Sequence, residues 1–430
     1  MSMGKHRRVR EPIRMRNNYG TIVIGAGPAG LFCALNACCE NNGVFLAEKN
    51  ASPGRKLLLS GSGQCNFSHI GGVEHFVRRY GAAGNFVKPA LHRFTSDDLC
   101  RFLESGGVKT IAREDGKLFP ADKRAGEVLS LLLHRCSRNG VAMRFNSRVA
   151  SVSRDGSSFY VRTDDGGFHS RFLVIACGGT SYPETGSSGD GHALAESLGH
   201  TVVPVTPALV AVHVKEGRFG ELAGISVRNS FIAVHRAGRK VTSGQGDILF
   251  TRNGLSGPGI LDLSRSIAGE DTVHVSLTGL GPGDTETRLA QAVGSGAGKS
   301  ARNILRSLGM PERLADAVLA HGELDPSTRG AELGKNRVRK LLELVTRFPF
   351  TVREKGGFDT AMATAGGVSR EEINRNTMES RIQPNLFFAG EVIDVDGDTG
   401  GYNIQWAFSS GMAAAETIRA RAGSISPPRP

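Results

Sequence analysis

Apolar positions follow three successive textures along the chain. In "YGTIVIGAGPAGLFCALNACCENNGVFLAEKN" (19–50), the β-branched run Thr21–Ile24 meets a glycine turn, an almost wholly apolar stretch over 29–39, and a second run, Val44–Ala47. Short apolar runs bounded by turns read as buried parallel strands, and the stretch between them reads as a helix packed on their sheet. Farther on, "FTSDDLCRFLESGGV" predicts a helix with a Ser/Asp cap, and "RAGEVLSLLLHRCSRNGV" a longer amphipathic helix ending at Asn139-Gly140. Residues 142–179 then read as successive strands joined by Asp-Gly and Gly-Gly turns.

After about residue 200 the texture changes. "PVTPALVAVHV", "VRNSFIAVHRAGRKV" and "DTVHVSLTG" are short alternating strands split by Gly and Pro, as in an antiparallel β unit. Residues 285–348 turn helical. From 385, "NLFFAGEVID" is a strand again, followed by a glycine turn and the helix "NIQWAFSSGMAAAETIRARA". The pattern predicts an α/β domain split by an insert of roughly 150 residues. Its expected parts are a basic tail (1–18), a first domain portion (19–200), the inserted unit (201–355), a second domain portion (356–422) and a flexible tail (423–430).

Composition narrows the class. Hydrophobic content of 39% and charged content of 22% are those of an ordinary soluble protein. No apolar run reaches the roughly 18 residues of a membrane span, and no apolar stretch follows the basic N-terminus as a signal peptide requires. The expected compartment is the cytoplasm, without a membrane partner. The cysteines Cys33, Cys38, Cys39, Cys65, Cys100, Cys136 and Cys177 form no C-x-x-C pair, which argues for reduced thiols and against zinc or a disulfide framework. Of the net charge of +12, residues 1–18 hold six Lys/Arg against one Glu, leaving +7 elsewhere. That segment reads as a solvated, disordered extension, with an anionic tether as the alternative. Few aromatics punctuate the basic stretches, so nucleic acid is a minor expectation beside a small-molecule substrate, and the chain is expected to be a monomer or small homo-oligomer.

Gly25, Gly27 and Gly30, with Ala26, Pro28 and Ala29 between them, form G-x-G-x-x-G directly after a strand and opening a helix. Such a turn sets backbone N–H groups and a helix N-terminus against a pyrophosphate. Glu48 ends the second strand, where a carboxylate can accept both ribose hydroxyls of an adenosine. The motif alone does not separate NAD from FAD. In two-domain flavoproteins, a late strand ends in a Gly-acid pair whose carboxylate bonds the ribityl chain, and Gly390-Glu391 stands there in "NLFFAGEVID". Gly401, Asn403 and Ile404 then start a helix whose positive end suits the flavin N1/O2 edge, where negative charge collects on reduction. Val149 in "NSRVASV" is expected to offer its backbone to the adenine, and Ala176 and Gly178 in "VIACGG" mark where the chain passes the cofactor again.

With these stretches in place, the chain resembles the BaiN-like, aminoacetone-oxidase-type FAD-dependent oxidoreductases. The resemblance rests on "VIGAGPAGL", "GRKLLLSGSGQCNFS", "GGTSYPETGSSGDG", "LFTRNGLSGPGIL", "ATAGGVS" and "FFAGEVIDVDGDTGGYNIQWAFSSG", which span residues 20–415. It implies a Rossmann-like FAD-binding domain interrupted by a β-barrel with helices. It also implies FAD contacts at Gly25, Gly27, Gly30, Glu48, Lys49, Lys56, Cys65, Asn66, Val149, Gly390, Glu391, Asn403 and Ile404, and Arg55 and Gly63 lie in the same segments. Gln64 stands where the family usually carries Arg, which bears on substrate charge more than on FAD. The implied chemistry is hydride transfer through flavin N5. One branch reduces a conjugated C=C with NAD(P)H, and the other oxidises a small amine with O2. An RNA-associated flavoprotein is the alternative of another class. No second G-x-G-x-x-G is present, so NAD(P)H is expected as a transient visitor.

The remaining motifs read more plainly. "GSGAGKS" (294–300) lacks the first glycine of a phosphate loop, with Val293 in its place, and joins two predicted helices. Asp394, Asp396 and Asp398 alternate as in a calcium loop, but Thr399 and Gln405 stand where that loop needs Gly and Glu. Arg252, Tyr182 and Gln64 are the candidate catalytic or substrate residues, the first two with a structural role as the alternative, and His213 reads as an ordinary strand histidine. Cys65, in "LLLSGSGQCNFS", has no local cysteine partner and reads as backbone packing against the flavin rather than as a redox thiol.

Overall fold

The computed structural model describes residues 17–296 and 298–423; the basic segment 1–16 and the tail 424–430 lie outside them. Asn18, expected in the tail, already belongs to the first strand, β1 (Asn18–Ile24), which pairs with His169 through the start of strand Gly166–Ile175. The helix α1 (Pro28–Ala37) and the strand β2 (Val44–Ala47) follow as expected. β1 lies between β2 and Gly166–Ile175, parallel to both, and all four residues of β2 are buried. This explains why its sequence is continuously apolar rather than alternating.

The sheet has seven strands. Ala142–Arg144 extends it beyond β2, while Val149–Asp155 and Ser158–Thr163 form an antiparallel meander on the other side. Leu386–Phe388, far along the chain, returns parallel to Leu173–Ile175. The C-terminal helix Tyr402–Gly423 then packs on α1, where Phe32 meets Phe408 edge-on at 5.0 Å. Gly411 permits this close approach, because a Cβ there would stand 2.7 Å from the Ala29 carbonyl.

The insert has its own core. Six strands close a barrel: Val212–Val214, Gly254–Ser256, Arg239–Thr251, Ser226–Arg236, Thr272–Val275 and Phe348–Lys355. Phe348, Phe350, Val234 and Ile248 fill it, and the helices Pro282–Gly294, Ala301–Ser307, Glu312–His321 and Lys335–Thr346 share the same apolar cluster. The two crossings into and out of this unit lie side by side: Val202–Ala208 pairs antiparallel with Ala363–Val368. Ala208, Leu209, Leu261 and Ala363 form a small apolar joint there. Among the described residues no helix is long and apolar enough to cross a membrane.

The helix Ser96–Ser105 is capped one residue earlier than its sequence suggested. Thr95 is the N-cap: its hydroxyl accepts from the Asp98 N–H, and the Asp98 carboxylate accepts from the Thr95 N–H. Two orphan donors are satisfied at once, which a Ser96 or Asp97 cap could not do with that spacing. Thr95→Ala is expected to cost about 1 kcal/mol of unfolding free energy, read from the denaturant midpoint at unchanged slope.

Candidate FAD and substrate site

The site begins where three backbone segments touch. Gly25 has φ +102°, and a Cβ there would lie 2.5 Å from the Ala176 carbonyl. A Cβ on Gly30 would stand 1.9 Å from the Gly25 carbonyl, so α1 can press on the end of β1 only without a side chain. At Gly27, by contrast, nothing lies within 4 Å of an added Cβ. Two glycines close the turn, and the third leaves bare backbone facing open space at a helix N-terminus. That cradle suits a pyrophosphate.

The open space is a cavity of about 860 Å³. Gly25, Gly27, Pro28, Ala29, Glu48, Lys49, Arg55, Lys56 and Asn66 line it, as do Val149, Ala176, Gly178, Gly390, Glu391, Gly401, Asn403 and Ile404. Tyr182 and Gln64 also reach it. Thus segments separated by hundreds of residues converge on one chamber.

Five candidates lie outside its wall. Ala26 is fully buried, with its N–H given to Glu48 Oε2 at 2.8 Å, and Gly30 serves packing. Gly63 turns the loop and accepts from the Ala125 N–H through its carbonyl. Cys65 takes a left-handed conformation, φ +60°, that directs its side chain away from the chamber into the apolar core. It is fully buried, and burial pushes its thiol up to about 12. Arg252 stays in the turn between barrel strands Arg239–Thr251 and Gly254–Ser256, away from the wall. His213 sits on a barrel strand 3.4 Å from Glu354, as an ordinary strand histidine does.

The carboxylates are specifically occupied. Glu48 Oε2 accepts from Ala26 N, while Oε1 accepts from both the N–H and Nδ2 of Asn50 at 2.9 and 2.8 Å. With about four lone-pair directions on a carboxylate, one remains for a ribose hydroxyl rather than two. Glu391 accepts from Lys56 Nζ at 2.6 Å, the Thr364 N–H at 2.8 Å and the Ser181 hydroxyl at 3.1 Å. Burial opposes its ionisation, but Lys56 with these donors holds the carboxyl below the usual range. Lys49 in turn bonds Ser188 and pairs with Asp190 at 2.9 Å, and that pairing, against the pull of burial, keeps Asp190 low as well.

Sequence reasoning missed several wall residues. Arg113, Lys117 and Arg148 bring the cations of the wall to six, with Lys49, Arg55 and Lys56, against Glu48, Asp190, Glu391 and Asp398. Arg113 lies 3.8 Å over the Phe119 ring and donates to Gln64 Oε1 at 2.5 Å. A guanidinium therefore stands at position 64's side of the chamber, supplied from the turn that follows the strand Thr110–Ala112. The far wall is apolar: Leu209, Pro258, Leu261 and Met362 come from the joint with the insert. Nothing in an alternating strand pattern marks such residues, because they acquire meaning only from the crossing. The alternating aspartates are paired with arginine: Asp394 with Arg370, Asp396 with Arg265, and Asp398 with both Arg265 and Arg79. Residues 294–300 join two helices, and Ser300 caps the second.

A Rossmann-like sheet, a bare glycine cradle, an acid closing the second strand and a second helix N-terminus at Gly400-Gly401 define a flavoprotein of the FAD-dependent oxidoreductase class, and the residues present fit FAD. Residues 19–417 match the HI0933-like protein Rossmann domain, and the chain belongs to that family. It is 33% identical to a ribosomal RNA dihydrouridine synthase of Escherichia coli over 412 residues, 94% of this chain and 99% of that one. It is 30% identical to a 3-dehydro-bile acid delta(4,6)-reductase of Clostridium scindens, covering 93% and 98%. A quinol fumarate reductase chain of Escherichia coli shares the fold with a TM-score of 0.51 at 17% identity, covering 96% of this chain and 72% of that one.

The burial of Cys65 has a direct chemical consequence. A thiol pushed up to about 12 and sealed in the core carries almost no thiolate at pH 8. Iodoacetamide at pH 8 is expected to leave Cys65 unmodified in the folded protein and to label it after denaturation, read by peptide mass spectrometry.

Proposed function

We propose that this oxidoreductase reduces a C=C bond conjugated to a carbonyl, with NAD(P)H as a transient electron donor. When bound, FAD supplies the hydride. The observation that carries the reading is the two-sided chamber. Its polar side runs from the glycine cradle to Gly400-Gly401, and its apolar side is built by Leu209, Pro258, Leu261 and Met362 at the insert joint. A cofactor along the first side would leave the second as an apolar slot for substrate, which suits an unsaturated ring or chain. Both relatives' names describe saturation of such a bond, on a nucleobase in one and a steroid ring system in the other.

The roles of the chain's own residues follow from their geometry. Gly27 and Ala29, at the N-terminus of α1, offer their backbone N–H groups to the pyrophosphate, while Gly25 gives its own N–H to the Ala47 carbonyl and shapes the turn. Glu48 takes one ribose hydroxyl with its remaining lone pair. The Lys56–Glu391 pair, fixed by Ser181 and Thr364, orients the ribityl chain without adding net charge. The N-terminus of Tyr402–Gly423, bearing Asn403 and Ile404 on the wall, sets a positive dipole end at the pyrimidine edge of the flavin, worth roughly 1 kcal/mol toward the reduced form.

A second reading, that the unsaturated ring is a uracil within RNA, is favoured by the six wall cations and the net charge of +12. It predicts salt-sensitive binding of a ribosomal RNA fragment at about 50 mM salt. Absence of binding there leaves the free small-molecule substrate.

Two outcomes test the main reading. The purified protein is expected to be yellow, with absorbance near ~450 nm, and Glu48→Ala to lose most of its FAD on gel filtration. Under anaerobic stopped flow, NADPH should bleach that band and 2-cyclohexen-1-one or uridine-containing RNA should restore it. If only a small amine such as aminoacetone bleaches it, and O2 alone restores it, the reductase reading falls.

A further inference from the structure

We propose that Asp398 is the catalytic acid of this site, the group that protonates the substrate carbon next to the carbonyl. The inference rests on the reductase reading above. Saturating a conjugated C=C adds a hydride and a proton. The hydride, whose electron pair originates in NAD(P)H, goes to the carbon distal to the carbonyl. At the nearer carbon the Asp398 O–H bond breaks, and a C–H bond forms with the electron pair of the former double bond. The carboxylate left behind takes a proton from water, and the acid is restored.

Location singles this residue out. Four carboxylates line the chamber; Asp398 is paired with arginines, and the other three are held by lysines or by N–H and hydroxyl donors. Glu48 is held by three N–H donors, Asp190 by Lys49, and Glu391 by Lys56, Thr364 and Ser181. Asp398 differs in standing where the two halves of the molecule meet. It precedes Thr399 and Gly400 at the helix N-terminus on one side, and faces the helix Pro258–Leu263 of the insert on the other. Pro258 and Leu261 of that helix form the apolar slot, so the acid borders the space a substrate would occupy.

The groups around it are arranged for proton delivery. Arg265 Nη2 lies 3.2 Å from Oδ1, Arg79 Nη1 lies 3.8 Å from Oδ2, and the Asp398 N–H is anchored on the Arg79 carbonyl. Asp262, half-buried on the helix Pro258–Leu263, accepts from the Thr399 N–H, Asp396 shares Arg265, and Tyr402 follows under Arg79. Burial first, and then the charge of Asp262, push the Asp398 carboxyl up to about 6, against the opposing pull of Arg265 and Arg79. A cofactor and substrate that expel water from the chamber push it in the same direction. Such an acid holds its proton up to about pH 6 and keeps a protonated fraction near neutrality, whereas Glu391 and Asp190, held low by their lysines, do not. Arg79, with 43% of its side chain exposed, brings this end of the cluster to solvent, from which water reprotonates the carboxylate.

The holoenzyme, Asp398→Asn and Asp398→Glu provide the test. In protein carrying carboxyl-labelled aspartate, carbon-13 spectra are expected to show one side-chain carboxyl titrating near 6, absent from Asp398→Asn. After anaerobic bleaching with NADPH, reoxidation by 2-cyclohexen-1-one should slow ~100-fold or more in Asp398→Asn, while the bleaching step keeps its wild-type rate. The wild-type reoxidation rate should fall as pH rises through the Asp398 titration. Asp398→Glu should keep that limb, and Asp398→Asn should lose it. Wild-type reoxidation in Asp398→Asn, or a carboxyl near 6 that survives the substitution, overturns the proposal alone. A wild-type protein that no enone and no uridine-containing RNA reoxidises overturns the reductase reading instead, and with it the role assigned here.

Discussion

The structure depends on one place where backbone meets backbone. The ends of β1, of Gly166–Ile175 and of α1 approach so closely that Gly25 and Gly30 have no room for a methyl group. That contact fixes where α1 begins, and so where its N-terminal N–H groups point. It also fixes the depth of the chamber, since Ala176 lies on one side of the turn and Glu48 on the other. Glu48 is drawn into the same knot through the Ala26 N–H, and Asn50 holds its second oxygen. Moving any one of these segments would displace all the others.

Charge within the chamber is managed by pairing rather than by excess. Lys49 with Asp190 and Lys56 with Glu391 put opposite charges side by side along the wall. Buried ions need such partners, because an isolated charge in low dielectric costs several kcal/mol. The pairs therefore serve as rigid polar furniture more than as sources of field. Arg55 and Arg113, both exposed, bond the neutral side chains of Asn50 and Gln64 instead, while Arg148 joins Lys49 on Asp190. The guanidinium of Arg113 is stacked on Phe119 and tied to Gln64, so it approaches the chamber in a set orientation.

Much of this was legible in the sequence, for identifiable reasons. β1, α1 and β2 announce themselves because a strand buried on both faces and a helix packed on it leave no alternation to misread. The convergence of Gly390-Glu391 and Asn403-Ile404 on the glycine turn was legible through the resemblance of those blocks to a known family. Orientation was not. Cys65 lies within a wall segment, yet its left-handed backbone turns the thiol inward, and no residue spacing reports that. Leu209, Leu261 and Met362 were invisible for another reason: each is an unremarkable apolar residue until two distant strands cross. Glu48 was expected to accept both ribose hydroxyls, and its occupancy by Ala26 and Asn50 emerges only from the folded turn.

The order of the chain imposes a sequence on assembly. During translation the strand Gly166–Ile175 emerges long before Leu386–Phe388, which completes the sheet beside it. α1 likewise waits for Tyr402–Gly423 to cover its apolar flank. Barrel and helices are synthesised in that interval with their own apolar core, although Asp262 and Arg265 wait for Asp396, Asp398 and Thr399. The nascent protein thus carries an insert with a finished core on an unfinished base, with a bare sheet edge and an exposed helix face. Quality-control machinery that recognises exposed apolar surface would meet this intermediate until the final helix leaves the ribosome.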